Sequence, residues 1–381
     1  MSKQIYQCVV LHNLAINIEF CITSFILVLF SITYFPVVIG YGLIDTPLLL
    51  AISLPIIGYV IGYSINFVNS PEQIEKVFSY AVFSVIFGGI AFVFLSFIKL
   101  QGFALISIVA NRSLPNFWNP SADSINGPGL DLYVGLAVSL LPYLLYRNNI
   151  ASKNSDNKRL IIILFLIVIL GLSLSISLQG RKALSSVIIA FLFLSLLRFL
   201  YSITNKKNTI EKSIKIIFTF LIGIGLMFIS GYFMEFLYDT GLFNRFKEEG
   251  VDTPRYQLWG EVLDNLPYHL DGGRQFKISA AFAHNLWLDV FYDGGIIPMI
   301  LLLLFHALHI QPIIKIFFSK KPQNVIYMVS CITVSLLSGF QFEPVIQSSQ
   351  IFFSISCFFI GLFMKLSQIP DKISRQLKVH T

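Results

Sequence analysis

Apolar windows of about 20 residues, most of them without a charge, recur along this chain. Each is long enough, at 1.5 Å per residue, to cross the ~30 Å hydrocarbon layer of a bilayer. Ten can be read, at residues 20–40, 47–68, 77–98, 130–146, 160–178, 183–200, 216–234, 286–314, 325–342 and 345–364. A soluble domain cannot hide that much hydrocarbon. Only 12% of the 381 residues are charged, against about 25% in soluble domains. The fold expected is an all-α polytopic integral membrane protein of about 10 transmembrane helices, 12 at most, in a single membrane domain (1–381).

The formal charge of +7 does not point to nucleic acid, because lysines and arginines sit in short clusters between the apolar windows. Ten spans put both termini on one side. The loops on that side hold 18 of the 27 basic residues, including Lys206, Lys207, Lys320 and Lys321. By the positive-inside rule that side is cytoplasmic. The opposite, external side then receives three segments: the 99–129 loop, the tight hairpin QGRK around Arg181, and a long loop at 235–285. Within the first, FALISIVA (103–110) is too short to cross and is expected to lie at the interface or re-enter. The apolar part of the N-terminus is followed by no small-residue cleavage site, so the first span is expected to be retained. Cys8, Cys21, Cys331 and Cys357 show no CxxC spacing, so neither a zinc site nor a disulfide framework follows from them.

The polar stretch from Thr253 to Gly295 interrupts this pattern and carries the candidate chemistry. Arg255 opens a run in which Leu258, Trp259, Val262, Leu263 and Leu266 share one helical face, with Pro254 well placed for the first turn. Arginine offers a planar fork of donors that suits phosphate. The same residue is equally at home pairing with a neighbour such as Glu261 or Asp252. Arg181, between two spans, is either a phosphate ligand or an interfacial arginine reaching for headgroups. Gly272–Gly273 marks a turn where backbone can approach a ligand closely. His284, followed by Asn285 at the mouth of a span, is placed to act as a general base or simply to hydrogen-bond at the interface. Asp289 and Asp293, one helical turn apart, are expected to orient groups at a helix start rather than to bind a metal. His306 and His309 are expected to be structural.

In order and spacing these residues resemble the O-antigen polymerase and O-antigen ligase superfamily. The pattern is Arg255, Trp259, Pro267, Gly272–Gly273, His284–Asn285 and Gly294–Gly295, with Gly180–Arg181 similar to the family's upstream Ser/Gly-Arg element. The motif-bearing part covers residues 160–304; the first four spans match only in hydropathy. The turn PYHLDGG departs from the family's plain proline–glycine form. The resemblance implies a GT-C-like membrane glycosyltransferase in the bacterial inner membrane, with a periplasmic active site and no cofactor or metal. Donor and acceptor would be glycans on undecaprenyl diphosphate, and a chain-length regulator protein is a partner the family allows. It also implies His284, Arg255 and Arg181 as catalytic residues, and Arg181, Arg255, Arg274, Trp259 and Asn285 as contacts to diphosphate or glycan. The idiosyncratic Ile/Phe/Lys-rich chain favours a polymerase joining repeat units. A ligase transferring the glycan to lipid A core is the alternative. A polysaccharide flippase is a third reading, against which stand the absence of inverted-repeat hydropathy and of charges deep in several spans.

Overall fold

The computed structural model describes residues 18–67, 70–101, 113–114, 125–146, 155–177, 181–205 and 255–369. The expected seventh span at 216–234 and the segment 103–110 lie outside the described residues. The regular secondary structure described is helical, apart from a two-residue antiparallel pairing of β1 (Ser113–Leu114) with β2 (Ile125–Asn126).

The chain is a helical membrane protein. Seven described helices are long and apolar enough to cross a bilayer, and two shorter apolar ones, Leu48–Ser64 and Ile162–Ser175, lie at the second and fifth expected windows. In order, the first part runs through α1 (Ile18–Gly40), α2 (Leu48–Ser64), α3 (Pro71–Gln101), α4 (Gly127–Val138), α5 (Leu141–Tyr146), α6 (Ser155–Ser177) and α7 (Arg181–Asn205). After a gap come α8 (Arg255–Asn265), α9 (Leu286–Gly294), α10 (Ile296–Phe317), α11 (Gln323–Phe342), α12 (Val345–Ser348) and α13 (Gln350–Ser367).

Burial sorts these helices into centre and rim. The windows Gly129–Tyr146 and Gln323–Phe342 are each 83% buried, whereas Ile296–Phe317 is 28% buried. The fourth window, the shortest read from sequence, is therefore central rather than marginal. It packs on α3, α6, α7 and α11. The tightest seam is α2 against α13. Gly58 and Gly62 present bare backbone to it, and a Cβ on Gly62 would lie 2.0 Å from the Phe358 carbonyl oxygen. Small residues four apart are how membrane helices bring their backbones together, because lipid supplies no hydrophobic drive to associate.

One expected span is not what the sequence suggested. Residues 286–314 do not form a single helix. They break at Gly295 (φ +85), and α9 turns back along α10. Two contacts give the direction. Gly294 packs against Pro298, while Trp287 Nε1 donates to His306 Nδ1 at 3.0 Å. The pair is therefore antiparallel, and Trp287 reaches ten residues, about 15 Å, down α10. The spanning segment begins at Ile296. The chain enters the mouth of the bundle, climbs back along α9, and only then crosses.

The 270–274 turn locks that break. Gly273 and Arg274 amides donate to the carbonyls of Asp293 and Tyr292 at 2.9 and 3.0 Å, and the Ile296 amide donates to Leu270 at 2.8 Å. Gly272 (φ +65) lies so close that a Cβ there would sit 2.1 Å from the Gly295 nitrogen. The glycine pair expected to admit a ligand instead admits the other glycine turn. Its neighbouring amides cap α9 and are not free to cradle phosphate.

Candidate active site

The amphipathic helix expected at Arg255 is α8, with Leu258 and Val262 buried as its inner face. Leu263 belongs elsewhere: it is 53% exposed, on the outer side with Tyr256. Trp259 anchors the helix, donating from Nε1 to the Ala283 carbonyl at 2.9 Å and stacking on Phe342. One residue beyond Ala283 stands His284, held at φ +56. It and Arg274 (φ +54) are the two non-glycine residues with positive φ among those described. Left-handed backbone in a histidine is uncommon and is tolerated where the surroundings fix it. Here they do. The Asp289 carboxylate accepts from the Ala283 amide (2.6 Å) and the Asn285 amide (3.0 Å), clamping the chain on both sides of His284. The Asn285 side-chain oxygen is spent as the N-cap of α9, accepting from the amides of Trp287 and Leu288 at 3.2 Å each.

Arg255 does pair with a carboxylate, but neither Glu261 nor Asp252. Its Nη2 donates to Glu343 Oε1 at 3.2 Å. The other oxygen, Oε2, lies 3.9 Å from His284 Nδ1. Glu343 ends α11, and its side chain is 6% exposed. Nothing in the sequence reading selected it. It is the one acidic residue between Asp293 and Asp371, and the expected topology puts it on the same side as Arg255 and His284. Those two signals together would have found it.

Arg274 belongs to a separate cluster. Its Nε donates to Asp293 Oδ1 at 2.8 Å, and its guanidinium lies over the rings of Phe282 and Tyr292. Asp293 Oδ2 accepts further bonds from Gln347 (2.6 Å) and Tyr34 (3.2 Å). Arg274 thus holds the α9 end to α1 and α12, a positioning role. The Asp289 and Asp293 side chains do orient groups about α9, each with its own partners. Among the described residues no group of three or more His, Cys, Asp or Glu stands together to hold a metal ion. His309 is buried and His306 half-buried, both in aromatic surroundings, and Trp287 of α9 donates to His306.

Arg181 is the first residue of α7, and its side chain lies outside the described residues. Its neighbour Lys182 is buried beside Phe352, within the electrostatic reach of Asp131 and Glu343. The ends of α4, α7, α11 and the 276–285 segment thus meet in one place. There Lys182 Nζ, Glu343 Oε2 and His284 Nδ1 are buried atoms without a hydrogen-bond partner among the described residues. Native proteins leave few such groups, so three in one cluster marks a place prepared for something else. No protein-family model and no curated protein matches the chain.

Proposed function

We propose that this protein is a membrane glycosyltransferase that joins undecaprenyl-diphosphate-linked oligosaccharide repeat units at the periplasmic face of the bacterial inner membrane, an O-antigen polymerase with a GT-C-like architecture of about ten spans and both termini cytoplasmic. The observation that carries this reading is the meeting of Arg255, His284 and Glu343 at the end of a membrane span, where a lipid carrier and a polar glycan can both reach.

The chemistry required is displacement at the anomeric carbon. The acceptor hydroxyl attacks, the bond from the sugar to the diphosphate breaks, and the lipid diphosphate leaves with the electron pair. Its developing negative charge calls for fixed cations. Arg255 supplies one, since Glu343 engages a single Nη and leaves the remaining donors of the fork. Arg181 supplies the second from the adjacent helix start. The acceptor proton passes to His284. Glu343 Oε2, 3.9 Å from Nδ1, sets a carboxylate beside the ring that takes the proton.

The test is polymerisation of lipid-linked repeat units by purified variants at matched folded concentrations. His284→Gln should lower turnover by about 100- to 10,000-fold while donor binding persists. Arg255→Lys and Arg181→Lys should be poor replacements, because an ammonium lacks the planar fork. Near wild-type turnover in all three would remove this site.

A further inference from the structure

Lys182 stands apart from the charges already assigned. It is 4% exposed, and its Nζ makes no hydrogen bond among the described residues. Buried ammonium groups are normally paired, because taking the charge out of water costs several kcal/mol. Its surroundings explain where it points but not what it binds. Phe352 lies under it, with Nζ 5.0 Å from the ring centroid. Asp131, which acts on it electrostatically, gives its oxygens to Ser175 Oγ (3.3 Å) and the Ala183 amide (3.2 Å). Gly339 leaves the room the ammonium occupies, for a Cβ there would lie 2.9 Å from Nζ.

Gly339 also ties Lys182 to the site. It is one helical turn before Glu343, whose amide donates to its carbonyl at 3.0 Å. The ammonium thus lies against the last turn of α11, which Glu343 ends, and among the described residues neither Nζ nor Glu343 Oε2 has a hydrogen-bond partner. One group only donates and the other only accepts. An anion in the space between would satisfy Lys182 and be repelled by Glu343, and a cation would do the reverse. A hydroxyl accepts from the first, donates to the second, and adds no charge to a buried site.

We propose that the space between Lys182 Nζ and Glu343 Oε2 is a hydroxyl subsite that grips the acceptor sugar, at a hydroxyl neighbouring the one presented to His284. The inference rests on the glycosyltransferase reading and deepens it. Lys182 is then a specificity-determining contact for the glycan and not a diphosphate ligand, a division of labour that leaves Arg255 and Arg181 to the leaving group.

The experiment compares two ligands on the full chain in lipid nanodiscs. One is the lipid-linked repeat unit purified from the source strain; the other is undecaprenyl diphosphate without sugar. Wild type should bind the glycan-bearing lipid at least about tenfold more tightly, the scale of one well-made polar contact in a buried site. Lys182→Met should bring the two affinities together by weakening only the glycan-bearing one. Lys182→Arg, which keeps the charge if the methionine variant fails to fold, should do the same, because the fork displaces the hydroxyl. Equal weakening toward both lipids would make Lys182 a diphosphate ligand and overturn the subsite. An undiminished preference in the variants, or none in wild type, would also overturn it. Turnover is measured separately, so a protein that shows the glycan preference yet joins no units would sink the polymerase reading and leave the subsite standing.

Discussion

Arg255 Nη2 donates to Glu343 Oε1 at 3.2 Å across 88 residues of chain, tying α8 to the end of α11. The contact sets a cost for removing either partner. Glu343→Ala strands a half-buried guanidinium and should destabilise the folded protein by about 1–3 kcal/mol. Glu343→Gln keeps the size and loses the charge, so its main effect should fall on turnover, a loss of about 100-fold. Thermal unfolding in detergent and a polymerisation assay separate the two. An unchanged melting temperature for the alanine variant with undiminished turnover for the glutamine variant would deny Glu343 both roles.

The glycine contact between the loop and the α9–α10 break makes a sharper steric prediction. Gly272→Ala forces a side chain to 2.1 Å from the Gly295 nitrogen at φ +65. The backbone term alone is about 1–2 kcal/mol, and the clash adds to it. Gly260→Ala is the control: it sits inside α8 with nothing within 4 Å of the new Cβ. It should stabilise by about 0.5–1 kcal/mol. Equal melting temperatures for the two variants would contradict the described packing.

A pH effect should appear on the outer side of α8. The Ser279 hydroxyl and amide both donate to Glu261 and hold its carboxyl below the usual carboxylate range. A lowered folded pKa contributes stability that is present above the unfolded value and lost as pH falls through the folded one. Docking of the 276–282 segment on α8 should therefore loosen in acid, below the ordinary carboxylate range. Trp259 fluorescence, taken as the difference from a Trp259→Phe variant, reports it. Ser279→Ala should remove most of the acid dependence; a profile indifferent to that change would mean Glu261 is not the titrating group.

Orientation in the membrane follows from the two ends of α10. Tyr268 and Phe318 are 81% and 76% exposed and flank its opposite termini. At 22 residues the helix is about 33 Å long, enough to cross. In a chain whose four native cysteines are replaced, Tyr268→Cys should react with an impermeant thiol reagent on intact cells, and Phe318→Cys only after permeabilisation. The reverse pattern would place Glu343 and His284 on the cytoplasmic side.

Hydropathy is a local property, which is why the apolar windows could be read directly, and Pro254 marked the start of α8 for the same reason. Long-range partnerships left no such trace. Arg255 had acidic neighbours in sequence, yet its partner waits at Glu343 because the end of α11 folds under α8. Lys182 read as one more basic residue in a hairpin, and only the bare face of Gly339 shows where its side chain goes. The reversal at Gly295 was hidden because α9 is apolar enough to pass as the first half of a span. Leu263 fitted the helical period of the buried face, but an 11-residue helix at the membrane surface has two apolar environments, core and lipid. Arg181 and the 216–234 window lie where the structure describes no side chain or no chain.

The amides of Gly273, Arg274 and Ile296 are bonded across the α9–α10 reversal, so residues 270–296 behave as one inheritable block. A chimera cut at the apparent loop boundary near Leu286 would separate donors from acceptors in this stitch. Grafts should instead be joined inside α8 and below Pro298, so that both halves of the stitch travel together.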